Sequence, residues 1–183
     1  YTAGTIGDRR LPAYVDEEGV DAQLGTETLA EVTFEIDNWR WAGVPFVLRS
    51  GKALGDARQD IVITFAPVPH LPNGLTGSAE PAKLTISIKP ATLELDLIIN
   101  GEGDPFTLDR TQLTTTLGDA AMSAYGEVIA SLIDGDPVLS VRGDVAEQCW
   151  RIVAPVLDAF RNDRVPLEEY PAGSTGPEAW STS

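Results

Sequence analysis

An α+β fold, a large and mostly antiparallel β-sheet covered by helices, is predicted from three features of this 183-residue chain. Apolar residues alternate with polar ones in successive segments of the first two thirds. No helical periodicity separates those segments, and the pattern turns helical only after Gly118. Strands that follow one another without intervening helices pair antiparallel, and helices gathered later in the chain are left to cover the sheet.

Residues 1–27 mix Gly, Pro and acids, including Asp16-Glu17-Glu18, without periodicity, and are expected to be an extended opening segment with no regular element. Residues 28–117 are assigned to the antiparallel sheet. Its first strand follows Glu31, where Val32, Phe34 and Ile36 alternate with Thr33, Glu35 and Asp37. Gly43 and Pro45 punctuate the apolar stretch from Trp41 to Leu48, so a turn into a second strand is expected there. Ile61, Ile63 and Phe65 mark a third strand, and the Pro, Gly and Asn content of 66–82 a long surface loop. Leu84, Ile86 and Ile88 form one face of a fourth strand, and Leu93, Leu95, Leu97 and Ile99 of a fifth, with Asn100-Gly101 as a turn. A short Thr-rich strand is expected from Leu113 to Leu117.

Residues 118–170 form the helical region. Met122, Tyr125, Ile129 and Leu132 recur at helical spacing, with Asp119 as cap or dipole partner. A second helix is expected from Asp144, spaced as a capping box with Glu147, through Cys149, Ile152, Val153, Val156 and Phe160, kinked or divided at Pro155. Residues 171–183, rich in Gly, Pro, Ser and Thr, are expected to be an irregular tail that buries little surface.

Composition excludes several functions. Hydrophobic residues make up 43% and charged residues 22%, a balance that supports one globular domain, and the net charge is -15. That charge repels nucleic acid and anionic membrane surfaces, so neither is an expected partner. One cysteine, Cys149, and one histidine, His70, cannot build a Cys/His zinc site or an intrachain disulfide framework. Reducing cytosol is the expected compartment, and no apolar run approaches the ~20 residues of a membrane span. The chain opens without an initiator Met and is expected to be a fragment.

One segment reverses the prevailing charge. Between residues 40 and 58 stand Arg40, Arg49, Lys52 and Arg58 against Asp56 alone. A phosphorylated substrate approaching an acidic protein needs such local cations for charge-assisted hydrogen bonds, and Gly51 beside Lys52 permits close backbone approach. The competing reading pairs these charges with carboxylates on neighbouring strands. Other motifs carry less. Gly101-Glu-Gly103 opens like a dinucleotide fingerprint, but Phe106 fills the third glycine position and the segment lies between strands. His70 reads as a solvated loop residue, Ser50 and Ser87 lack a neighbouring base, and Asp134-Gly-Asp136 reads as a turn closing the first helix. Trp39 and Trp41, two apart, read as one strand face in a core or an interface.

The run Trp41-Ala-Gly-Val-Pro-Phe-Val-Leu-Arg49-Ser-Gly-Lys-Ala-Leu54 resembles the C-terminal domain of glucose-6-phosphate dehydrogenases. Tyr1-Thr2-Ala3-Gly4, Trp150-Arg-Ile-Val-Ala-Pro155 and Tyr170-Pro-Ala-Gly-Ser-Thr-Gly-Pro177 extend the resemblance over the whole chain. It implies an α+β domain whose sheet serves dimerisation, giving a homodimer or homotetramer. It also implies a parent enzyme that oxidises glucose 6-phosphate at C1 to 6-phosphoglucono-lactone with NADP or NAD. The family's base, a His in an Asp-His-Tyr-Leu-Gly-Lys motif, and its glycine-rich nucleotide loop belong to an N-terminal dinucleotide-binding domain absent here. This chain is therefore expected to carry no catalytic residue and no cofactor-binding residue, and to be inactive by itself.

The resemblance implies that Lys52, in the family's Arg-x-Gly-Lys motif, contacts the substrate. A second basic contact usually falls five residues later, where Ala57 stands with Arg58 beside it. Arg58 is thus the second candidate and Lys89, before Pro90, a third, with a solvent-facing strand lysine as the alternative. No structural NADP is expected, because the comparable strands carry Ser87, Leu95 and Leu97. Separately, the resemblance implies that Leu117 replaces a Tyr that often lies near the substrate phosphate. The remaining alternative is a noncatalytic interaction or regulatory module derived from this family.

Overall fold

The computed structural model describes residues 1–77, 79–118 and 123–178. The chain forms two compact units, Tyr1–Ala57 with Pro137–Ser183, and Arg58–Asp136.

The first unit opens with a hairpin where no element was expected: β1 (Gly4–Ile6) pairs antiparallel with β2 (Arg9–Leu11). Gly7, at φ 55°, starts the two-residue turn between them, a left-handed value that costs glycine nothing. Such a short pair shows no apolar alternation, so the sequence pattern passes over it. β3 (Leu29–Phe34) and β4 (Phe46–Gly51) form a second antiparallel hairpin, Leu29 opposite Gly51 and Phe34 opposite Phe46. Strand β3 stops before Ile36, because Asn38 Oδ1 accepts from the backbone of Arg40 at 3.0 Å and Trp41 at 2.9 Å and turns the chain. Trp39 and Trp41 therefore lie in that turn and share no strand face. Trp41 packs edge-on against Phe46, ring centres 5.4 Å apart, whereas Trp39 is 89% exposed with the Arg40 guanidinium 5.5 Å above its ring.

The second unit holds β5 (Asp60–Thr64), β6 (Thr76–Gly77), β7 (Lys83–Ile88), β8 (Ala91–Asn100) and β9 (Thr107–Thr116). They form one sheet in the order β5-β7-β8-β9-β6, antiparallel throughout except for the parallel β6–β9 contact. The sheet expected over 28–117 is thus two, because the β3–β4 hairpin pairs with no strand beyond itself among the described residues. Strand β9 starts at Thr107, well before Leu113. Its first half, Thr107 to Gln112, is mostly polar and owes its extension to pairing with β8, which apolar alternation cannot reveal. The Asn100-Gly101 turn widens into a loop ordered by Asp104, whose carboxylate accepts from Phe106 N at 2.9 Å and Thr107 Oγ1 at 3.0 Å.

Register places Ile61, Ile63, Leu84, Ile86, Leu93, Leu95 and Leu113 on one face of this sheet. Ile98 lies on the opposite, largely polar face, half-buried beneath the 66–82 loop. There it lines a cavity of about 300 Å³ with Val68, Leu71, Pro81 and Leu108. Arg110 ties that loop down, reaching Glu80 at 3.1 Å and Asp96 at 3.3 Å.

Helix α1 (Ala124–Asp134) begins at Ser123, whose Oγ accepts from Gly126 N at 3.2 Å, and ends at Gly135, φ 72°. The cap therefore falls on Ser123; Asp119 and Met122 lie outside the described residues. Asp134-Gly-Asp136 closes the helix as expected. Back in the first unit, α2 (Gly143–Arg161) runs unbroken through Pro155. It starts one residue before Asp144, so Asp144 is a first-turn acid accepting from Arg142 and Val145 and no capping box forms. Val153, Val156, Leu157 and Phe160 are its half-buried stripe.

The stretch expected to be an irregular tail holds the most buried residues described, Ala172 at 4% exposure beside Tyr170 at 1%. Thr2 N donates to Tyr170 O at 2.9 Å and Ala172 N to Thr2 O at 3.0 Å, laying the segment parallel to the opening residues. Glycines make this possible: a Cβ on Gly4 would stand 1.9 Å from Ala172 O, and one on Gly173 1.9 Å from Thr5 O. Burial here comes from backbone approach, which a composition poor in large apolar side chains does not forbid.

Candidate functional site

Strand β4 delivers Lys52 to the turn that follows it. The Lys52 N–H donates to Thr28 O at 2.8 Å, extending the β3–β4 ladder by one step, and the Lys52 carbonyl accepts from the Tyr170 phenol at 2.8 Å. Ala53 then takes a left-handed φ of 53°, and its carbonyl accepts from Gly173 N at 2.7 Å. Gly55 N donates to Ser174 O at 2.9 Å, where a Cβ on Gly55 would meet Gly173 O at 2.1 Å. The turn from Lys52 to Gly55 is held against residues 170–174 by backbone groups, and the lysine side chain stays exposed.

Two other cations of the basic segment, Arg49 and Arg40, are committed. Arg49 sits opposite Glu31 and donates to Glu31 Oε2 from Nε at 2.8 Å and from a terminal guanidinium nitrogen at 2.5 Å. Arg40 lies over Trp39. Lys52 differs: among the described residues its ammonium forms no ion pair or hydrogen bond. The carboxylate-pairing reading thus holds for Arg49 and does not hold for Lys52.

Arg58 and Lys89 belong to the second unit. Asp60 faces Ser87, and Ile88 N donates to Gln59 O at 2.8 Å, so Arg58 and Lys89 lie just beyond the paired ends of β5 and β7. Leu117 N bonds Ala91 O at 2.8 Å, which puts Leu117 at the same end of the sheet. Lys89 precedes a cis peptide at Pro90 in the β7–β8 turn and is exposed without an ion-pair partner among the described residues.

The remaining polar candidates are spoken for or solvated. Ser87 Oγ donates to Asp60 Oδ1 at 2.7 Å, and His70 and Cys149 are exposed. Among the described residues no three His, Cys, Asp or Glu side chains cluster to hold a metal, and no helix is long and apolar enough to cross a membrane. The Tyr1 phenol is pushed up to about 12, first by burial, then by its hydrogen bond to Glu17 and the charge of that carboxylate. Thr28, Tyr170 and Gly173, which fix the Lys52 turn, were not singled out from sequence as site residues. Their signal was Ala172-Gly173-Ser174 directly after the Tyr170-Pro171 pair, small residues that permit a close approach.

The α+β fold thus presents, on a turn clamped through its backbone, a lysine whose ammonium has no partner among the described residues. Residues 1–182 match the family described as glucose-6-phosphate dehydrogenase, C-terminal domain, and the chain belongs to it. It is 37% identical to glucose-6-phosphate 1-dehydrogenase of Mycolicibacterium smegmatis, covering 97% of this chain and 37% of the relative. It is 36% identical to the Treponema pallidum enzyme of the same name, over 98% of this chain and 36% of the relative. A solved glucose-6-phosphate dehydrogenase in complex with its substrate glucose-6-phosphate superposes with a TM-score of 0.83 at 28% identity, over 99% of this chain and 38% of that one. The Mycobacterium avium glucose-6-phosphate 1-dehydrogenase gives 0.74 at 34% identity, over 91% and 35%. The chain therefore spans little more than a third of the length of these relatives.

Proposed function

We propose that this chain is the substrate-lining and oligomerising domain of a cytoplasmic glucose-6-phosphate dehydrogenase whose N-terminal dinucleotide-binding domain lies outside it. The parent oxidises the C1 hydroxyl of glucose 6-phosphate to the 6-phosphoglucono-lactone. The observation that carries the reading is the uncommitted Lys52 ammonium on a turn whose peptide groups are fixed on both sides. The fixed backbone sets where the side chain departs, and its ammonium offers the substrate phosphate a charge-assisted hydrogen bond. It also supplies local positive charge in a protein that otherwise repels phosphate. Arg58 and Lys89, in the second unit, are the further candidate contacts, and they rest on the family resemblance alone.

A nicotinamide cofactor, NADP or NAD, accepts the hydride in the parent enzyme. Its site is assigned to the N-terminal domain, because Gly101-Glu-Gly103 here lies in the β8–β9 loop and opens no helix whose N-terminus could receive a pyrophosphate. A second, structural NADP is not part of this reading: Ser87 is engaged by Asp60, and Leu95 and Leu97 offer no cation. The base that takes the C1 proton likewise belongs to the N-terminal domain, which leaves this chain to bind and orient the sugar phosphate.

The apolar sheet face supports assembly into a homodimer or homotetramer. Ile61, Ile63, Ile88 and Leu113 are exposed on it. The purified parent protein, assayed for glucose 6-phosphate-dependent reduction of NADP or NAD, tests the proposal. Turnover supports it, and a folded parent without turnover leaves the noncatalytic module derived from this family.

A further inference from the structure

We propose that Tyr170 is a positioning residue for Lys52: its phenol sets the direction in which the ammonium is presented, and so the affinity for the sugar phosphate. This rests on the reading of Lys52 as a phosphate contact. Tyr170 is 1% exposed, and its phenol lies 2.8 Å from the Lys52 carbonyl oxygen, 3.2 Å from Thr28 O and 3.2 Å from Thr28 Oγ1. A phenol has one proton to donate, and the shortest contact takes it. Thr28 Oγ1 can in turn donate to the phenol oxygen while accepting from the Tyr1 nitrogen at 3.0 Å.

The bond falls on the carbonyl of the lysine itself. With the Lys52 N–H bound to Thr28 O, it fixes both sides of the residue and hence the Cα–Cβ direction from which the four-carbon side chain departs. Ala53, next along, is held at φ 53°, a value rarely adopted by a residue with a Cβ. Release of the Lys52 carbonyl would let that turn relax toward commoner geometry and re-aim the side chain. The Tyr170 ring packs separately, 6.1 Å from the Tyr1 ring, so removing the hydroxyl deletes the bond and spares the packing.

The test is a double-mutant cycle in the full-length parent enzyme, reading the KM for glucose 6-phosphate, kcat and the KM for the nicotinamide cofactor. Tyr170→Phe is expected to raise the glucose 6-phosphate KM about three- to ten-fold, part of the effect of losing the lysine contact, with kcat and the cofactor KM unchanged. In a Lys52→Ala background Tyr170→Phe should add nothing, because no ammonium is left to aim. Thr28→Val, which removes the hydroxyl beside the phenol, should give the same signature more weakly and serves if Tyr170→Phe does not fold. If Lys52→Ala raises KM while Tyr170→Phe leaves it unchanged, or the two effects multiply, the positioning role is overturned and the phosphate contact stands. If Lys52→Ala leaves KM unchanged, both fall.

Discussion

Arg49 donates to Glu31 Oε2 from Nε at 2.8 Å, across the β3–β4 pair, and is thereby set apart from Lys52 three residues on. The pair is partly exposed, so its contribution to stability is at most about 1 kcal/mol after solvent screening. Arg49→Ala in the parent enzyme should leave the KM for glucose 6-phosphate within two-fold of wild type, by the factor expected when no substrate contact is lost. A large rise confined to that KM would move the phosphate contact from Lys52 to Arg49.

The isolated chain should have no dehydrogenase activity, because both base and dinucleotide site are proposed to belong to a domain outside these residues. Turnover of glucose 6-phosphate with NADP or NAD by the purified 183-residue protein, free of contaminating enzyme, would contradict this.

Self-association should run through the apolar face of the five-stranded sheet. Ile98, on the largely polar face, is half-buried under the 66–82 loop, whereas the opposite face exposes Ile61 at 53% and Leu113 at 57%. Sedimentation at micromolar concentration should show dimer or tetramer, and Leu113→Lys should shift it toward monomer. A wild-type chain that sediments only as monomer would count against the interface.

Alkaline pH should loosen the contact between the opening segment and residues 14–17. The Tyr1 phenol, raised from its ordinary 10.0 to about 12, favours its protonated form in the folded state, so its stabilisation is whole below about pH 10 and lost as pH rises through about 12. Thermal unfolding across that range should show the advantage of wild type over Tyr1→Phe shrinking above pH 10. A constant difference would mean that Tyr1 titrates normally.

Alternation and register explain what was legible. Val32, Phe34, Leu84, Ile86 and Leu93 announce their strands because one face is apolar and the other polar. The β1–β2 hairpin, the first half of β9 and the Tyr170 segment carry no such contrast: they are ordered by pairing, an Asx-type turn and glycine-permitted approach, which are tertiary facts. Lys52 was legible from charge and motif together. The clamp around it was not, since its donors and acceptors are main-chain groups that every residue possesses, together with one tyrosine more than a hundred positions away.

The central claim, that Lys52 binds the substrate phosphate, is tested most directly by steady-state kinetics of Lys52→Ala in the full-length enzyme. Loss of one charge-assisted hydrogen bond, worth roughly 1.5–3 kcal/mol, should raise the KM for glucose 6-phosphate about ten- to a hundred-fold while the cofactor KM stays put. Arg58→Ala should move the same constant in the same direction by less. An unchanged glucose 6-phosphate KM in Lys52→Ala, with normal thermal stability, would make Lys52 a solvated surface charge and contradict the account.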